Sequence, residues 1–223
     1  MALKITFLGH AGFVLTSGEH AVAIDPFLTG NPLARHKPSE IACSAIALTH
    51  GHADHFGPDT LEIAKANGAT IYAPFELAEY CGEQGCTVEP ANPGGRLETD
   101  FGWIAFTPAL HSSSYEGRYM GAACGVVVHM DGVSFYHLGD TALFSDLKLI
   151  SELYLPDVAA IPVGDRFTMG PELGTKAAEV ILPRVAIPIH YKTFPLLAQD
   201  ISAFAPEGVE VKVMEPGDIW TYE

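Results

Sequence analysis

Basic side chains are few in this chain: 12 Lys and Arg stand against 27 Asp and Glu, a formal net charge of −15, and no basic cluster relieves it. Such a surface repels a phosphate backbone over a Debye length of about 8 Å at physiological salt, which excludes long nucleic acids while leaving room for one small anion drawn to a local positive centre. Cysteine is equally sparse. Cys43, Cys81, Cys86 and Cys124 are scattered, and without a secretion signal they read as reduced thiols rather than a disulfide framework. No apolar run approaches the roughly 20 residues that span a bilayer, and Met1 to Phe7 leads straight into a strand pattern without a cleavable apolar region. The expectation is a cytoplasmic protein with no membrane partner. A Gly-x-Ser-x-Gly elbow is missing too, so Ser112, Ser113 and Ser114 read as turn residues and not as nucleophiles. Nor does any low-complexity linker divide the 223 residues, whose 48% hydrophobic content suffices for one core; a single domain over 1–223 is expected.

What the chain does contain is concentrated at Leu48-Thr49-His50-Gly51-His52-Ala53-Asp54-His55, where four potential metal ligands fall within six residues after an apolar run. Ser44 to Leu48 reads as a short buried strand, and Gly51 lets the backbone leave it through a tight turn. In extended chain, side chains two apart share a face, so His50 and His52 can address one ion while Asp54 and His55, a step round the turn, address a second.

Around this stretch the pattern changes character twice. Lys4 to Leu8, Phe13 to Thr16 and Ala21 to Asp25 read as strands of a meander, followed by a loop over 27–40. Helices over 58–67 and 74–81 alternate with a strand at 70–73; strands return at 96–99, 103–109, 125–130 and 133–138. The last third alternates again, with helices near 146–154, 171–182 and 198–204 and strands near 158–162, 185–189 and 210–214. A purely parallel sheet would not explain the hairpins, and an all-β sandwich would not explain the helices. Two mixed sheets packed together with helices outside accommodate both.

Three more candidate ligands stand where a strand hands over to a loop: His111, Asp140 and His190. With them, His-x-His-x-Asp-His followed by an isolated His, a Gly-Asp and a His resembles the metallo-β-lactamase superfamily of hydrolases, over about Ile5 to Trp220. The resemblance implies an α+β fold, a four-layer αβ/βα sandwich of two mixed sheets with outer helices, and the metals at one edge. Carried over by position, it implies His50, His52 and His111 around one ion, Asp54, His55 and His190 around the other, and Asp140 bridging. Two divalent ions so held would acidify a bridging water into the nucleophile, with Asp54 orienting it and taking up its proton. Imidazole-rich sites suit zinc, although manganese, iron or nickel can fill the same geometry.

Within the superfamily, Gly9-His10-Ala11-Gly12-Phe13, Thr168 to Glu172 and Ile189 to Pro195 are similar to the small hydrolases related to ascorbate-6-phosphate lactonase. The chain departs from that branch in Asp165, where a second glycine is usual, and in Lys192, where a neutral residue is. The expected activity is hydrolysis of a small ester, lactone or phosphoester; a cyclic-nucleotide or dinucleotide phosphodiesterase and a non-catalytic metal-stabilised binding protein are the rival readings. Redox use of two irons is disfavoured, because related proteins of that kind carry Glu at the position of His52. Similar proteins are often multimers, so a homo-oligomer is allowed.

Beyond the seven, His10, Arg166 and Lys192 are the candidate substrate contacts, the cations for a carboxylate or phosphate; His10, in a Gly-rich turn, reads equally as a contact to substrate or to a ligand and as a plain turn residue. Asp25, at a strand end, is a candidate hydrogen-bond partner for a ligand histidine, and Thr141 for Asp140. His137 falls on the strand face opposite Asp140 and reads as structural. His20, His36 and His129 show no ligand spacing.

Overall fold

The computed structural model describes residues 2–223, and each of its two main sheets is half meander and half crossover. The first sheet holds β1 (Leu3–Gly9), β2 (Gly12–Ser17), β3 (His20–Ile24), β4 (Ala45–Ala47), β5 (Thr70–Pro74) and β6 (Val88–Ala91). Strands β1 to β3 pair antiparallel through tight turns, whereas β3 to β6 run parallel, β4 and β5 being joined through α1 (Asp59–Asn67) and β5 and β6 through α2 (Phe75–Glu83). The second sheet repeats this logic. Strands β7 (Arg96–Thr99) and β8 (Gly102–Pro108) come first, then a short separate hairpin, β9 (Ser114–Tyr115) and β10 (Arg118–Tyr119). The sheet continues with β11 (Cys124–Met130) and β12 (Val133–His137), antiparallel, and with parallel β13 (Val158–Pro162), β14 (Val185–Ile189) and β15 (Glu210–Val211). Helices α3 (Leu147–Tyr154) and α4 (Pro171–Ile181) make the crossovers, and β16 (Ile219–Tyr222) returns to pair with β1.

Three apolar layers hold the stack. Between the sheets lie Leu3, Ile5, Phe13, Phe106, Val126, Phe135 and Ile187, the inward members of alternating strands. Phe13 packs with its ring centroid 5.0 Å from Phe7 and 5.2 Å from Phe135, locking one sheet onto the other. The outer faces bury Leu48, Ile71, Ile63 and Leu77 under α1 and α2, and Tyr136, Ile161, Ile150 and Ala177 under α3 and α4. The result is the four-layer αβ/βα sandwich. No helix among the described residues is long and apolar enough to cross a membrane.

Two expectations fail locally. The helix read over 198–204 is turn and loop, because the Asp200 carboxylate captures the Ser202 N–H at 2.9 Å and its hydroxyl at 3.0 Å, giving the backbone a non-helical alternative. The strand read over 210–214 shortens to β15. β16 and the β9–β10 hairpin were not read from the sequence, although the alternating exposure of Ile219 to Tyr222 and the Glu116-Gly117 turn are the signals that carry them.

Candidate metal centre

The site lies at one edge of the sandwich, where the ends of β4, β8, β12 and β14 and the β1–β2 turn converge. Beyond β4 the backbone bends at once: Thr49 N–H donates to Asp25 Oδ1 at 2.9 Å, and the His55 and Phe56 N–H groups both return to the His52 carbonyl. That turn swings Asp54 and His55 away from His50 and His52. Gly51 is required because a Cβ there would collide with Met120 Cβ and lie 2.6 Å from its Cγ, while its N–H is held by the Ser113 hydroxyl at 3.1 Å. A Cβ at Gly164 would lie 2.8 Å from His190 Nδ1, so that glycine makes room for the ring.

Two donor sets result. Ligand atoms of His50, His52 and His111 lie within 4.8 Å of one another, and so do those of His10, Asp54, His55 and His190. Asp140 stands between them: Oδ2 is 3.5 Å from His111 Nε2, 3.9 Å from His50 Nε2 and 3.1 Å from His190 Nε2, and Oδ1 is 3.2 Å from His55 Nε2. His190 Nε2 also lies 3.6 Å from Asp54 Oδ2. The structure thus brings all seven expected ligands together at one edge of the sandwich.

A buried hydrogen-bond chain decides which way the rings present themselves. Asp25, wholly buried, accepts from His55 Nδ1–H at 2.7 Å and from the Thr49 hydroxyl at 2.6 Å; having spent its proton there, that hydroxyl accepts from His50 Nδ1–H at 3.0 Å. Nε2 is thereby the nitrogen that each ring turns to the cleft, that of His50 lying 3.0 Å from His52 Nδ1 and that of His55 3.2 Å from Asp140 Oδ1. Burial, against which the neighbouring carboxylates work, holds His50 well below the ordinary imidazole value, and it lowers His52 and His111 as well. Burial also opposes charge on His55 and His190, yet Asp140 overrides it, raising both, His190 to about 9. Asp140 itself stays far below the carboxylate range despite burial, because His190 and His55 face it.

The donor chemistry fits divalent ions. His55 Nε2, Asp140 Oδ1 and both nitrogens of His190 are buried without a hydrogen-bond partner. An unsatisfied buried polar atom costs about 1–3 kcal/mol, and His55 Nε2 and Asp140 Oδ1, 3.2 Å apart, with His190 Nε2, 3.1 Å from Asp140 Oδ2, are what a cation that takes imidazole and carboxylate satisfies, whereas His190 Nδ1 lies on the other side of its ring against Gly164.

Comparison with known proteins agrees. The family model of the beta-lactamase superfamily domain matches residues 4–190. The chain belongs to that superfamily. Within this superfamily it groups with the UPF0173 metal-dependent hydrolases: one from Thermus thermophilus is 45% identical over 222 residues, covering 97% of this chain and 98% of the relative. Another, YtkL of Bacillus subtilis, is 44% identical over 225 residues with the same coverage. The solved structure of Igni18, a metallo hydrolase from the archaeon Ignicoccus hospitalis, matches with a TM-score of 0.90 at 35% identity, covering 100% of this chain and 99% of that one. The metallo-β-lactamase fold protein YhfI of Bacillus subtilis, at 15% identity and a TM-score of 0.72 over 99% of both chains, shares the fold.

The superfamily cleft in this chain, about 290 Å3, is lined by His52, Asp54, His111, Ser112, Asp140, Phe167 and His190. None of the three expected substrate contacts, His10, Arg166 and Lys192, is among the residues that line it. The His10 side chain is wholly buried and turns inward onto Asp54 Oδ2 at 3.1 Å and Thr193 Oγ1 at 2.8 Å, a direction set by its left-handed backbone (φ 58°). Arg166 is exposed at the rim, its guanidinium 5.7 Å from the Phe167 ring, with no ion pair to Asp165. Lys192 is exposed beside Tyr191 and faces a separate small hollow behind His10. Thr141 does not hold the Asp140 carboxylate: its hydroxyl accepts from Leu110 N–H at 3.0 Å and so fixes the His111 loop. His137 is satisfied by backbone alone, through the Ala11 carbonyl at 2.8 Å and the Gly139 N–H at 3.0 Å. Thr49 and Phe167 escaped the sequence reading; adjacency to His50 was the one signal for the first, and nothing local marks the second. A larger hollow of about 480 Å3, lined by Ser17, His20, Asp100 and Asp131 among others, lies at the opposite strand ends and holds none of the candidate ligands.

Proposed function

We propose that the cleft holds two divalent metal ions and hydrolyses a small ester, lactone or phosphoester. Asp140 is the observation that carries this reading: one buried carboxylate whose two oxygens face both donor sets, next to unpartnered imidazole nitrogens. His50, His52 and His111 would hold one ion, Asp54, His55 and His190 the other, with Asp140 shared. Zinc suits so many imidazoles, with manganese, iron or nickel as alternatives. When bound, the ions supply Lewis acidity and a water acidic enough to attack at neutral pH.

The protein's own groups do the rest. The Asp25 and Thr49 chain keeps His55 and His50 in the tautomer whose Nε2 faces the cleft. Asp54, with its side chain 31% exposed, is the carboxylate of the second set that reaches solvent, and it orients the attacking oxygen and takes up its proton. Phe167 walls the cleft, whose volume of about 290 Å3 suits a small molecule. No Lys or Arg lines it, which weighs against a substrate with several phosphates. The test is hydrolysis of a chromogenic lactone, a carboxylic ester and a phosphodiester before chelation, after chelation and after metal is restored. Turnover lost and regained on at least one substrate supports the reading; turnover indifferent to chelation contradicts it.

A further inference from the structure

His10 is buried at the site yet is none of the seven ligands, and its ring is engaged at both nitrogens by residues distant in the chain. Nε2 lies 3.1 Å from Asp54 Oδ2, and Nδ1 lies 2.8 Å from Thr193 Oγ1. A carboxylate offered to a cation only accepts hydrogen bonds, so Nε2 must carry the proton and donate to Asp54. Nδ1 is then the acceptor, and the Thr193 hydroxyl donates to it in preference to the Tyr191 carbonyl, which is farther away at 3.3 Å. The main chain of the same residue acts in parallel: the His10 carbonyl accepts from His190 N–H at 2.7 Å. One residue in the β1–β2 turn therefore grips two members of the second donor set, Asp54 by its side chain and His190 by its backbone. Around it the rings of Phe27 and Phe194, each 5.8 Å away, and of His190, 4.1 Å away, leave no slack.

We propose that His10 is a positioning residue that, locked as the Nε2–H tautomer by the Thr193 hydroxyl, fixes the direction in which Asp54 presents its carboxylate to the second ion. This rests on the two-ion reading above. It assigns to the Gly9-His10-Ala11-Gly12 turn a task other than substrate contact, and it makes Thr193 part of the site although it touches no candidate ligand directly.

The experiment is a titration of chelator-stripped protein with Zn2+ against a chromophoric competitor, with the imidazole nitrogens of His10 followed by 15N NMR. His10→Leu is expected to lower the affinity for one ion by about 10- to 100-fold while the other changes by less than about twofold. His10→Gln, whose amide can still donate to Asp54 but is a poor metal ligand, is expected to restore most of that loss. Thr193→Val is expected to weaken the same ion and Thr193→Ser to leave it unchanged, with His10 neutral and protonated at Nε2 in the parent protein. Undiminished affinity in His10→Leu, His10→Gln as weak as His10→Leu, or a His10 ring protonated at Nδ1 would each overturn the proposal. If the parent protein takes up a single ion, the two-ion reading has failed; the effect of His10→Leu on that ion still decides the role of His10.

Discussion

At the level of single residues, Asp25 orients the site from outside the candidate ligand set, accepting from Thr49 and His55. Asp25 sits in the left-handed region (φ 42°), where Asn is tolerated, so Asp25→Asn keeps the backbone while replacing an acceptor oxygen by an amide donor. That amide would confront His55 Nδ1–H and the Thr49 hydroxyl, and relief requires His55 to change tautomer. Asp25→Asn is predicted to bind metal about 10- to 100-fold more weakly with near-native far-ultraviolet circular dichroism; parent-like affinity would show that the chain of hydrogen bonds is idle. The candidate ligands and Asp25 could be read from the sequence because each stands at a strand end or in the turn just beyond one, a local feature. The directions of His10, Lys192 and Arg166 could not. His10 and Lys192 take positive φ (58° and 60°), and Arg166 follows Asp165 at φ 72°, a conformation that non-glycine residues seldom announce and that turns the chain where an extended reading does not.

At the scale of elements, the hairpin β9–β10 props the histidine loop. Met120, wholly buried, closes on Gly51, and the Ser113 hydroxyl takes the Gly51 N–H and donates to the Met120 carbonyl. Gly51→Ala is predicted to destabilise the fold by about 1–3 kcal/mol, seen as a lower denaturation midpoint. Because the Met120 Cβ collides as well as its Cγ, adding Met120→Ala should not restore the parent midpoint. An unchanged midpoint in the single variant would contradict this close approach. Most strands and four helices were legible from period and turn residues; the false helix over 198–204 was not, since its polar groups are captured by Asp200.

At the scale of the whole molecule, the layers that position the site also bury three thiols. Burial pushes Cys43 up to about 11 and Cys81 and Cys124 up to about 12, against an ordinary 9.0. Below about pH 9 folded and unfolded chains hold these protons alike; above it the unfolded chain loses protons that the folded one keeps, so stability is full below pH 9 and falls toward pH 12. The slope is at most about 1.4 kcal/mol per pH unit for each thiol. Urea titrations at pH 8, 9.5 and 10.5 test this, and half-buried Cys86 should react with a thiol reagent well before the other three. Stability flat across that range would mean that the three thiols ionise as freely folded as unfolded.

The same layering explains why the fold could be anticipated as two mixed sheets: each sheet is both meander and crossover, and each part leaves its own periodicity in the sequence. Elemental analysis of gently purified protein, repeated after chelation and reconstitution, measures whether two ions share the buried Asp140 carboxylate. Close to two divalent ions per chain, falling toward one in Asp140→Ala or Asp54→Ala, is the predicted result. A chain that takes up no divalent ion, or no more than one even after reconstitution, would contradict it.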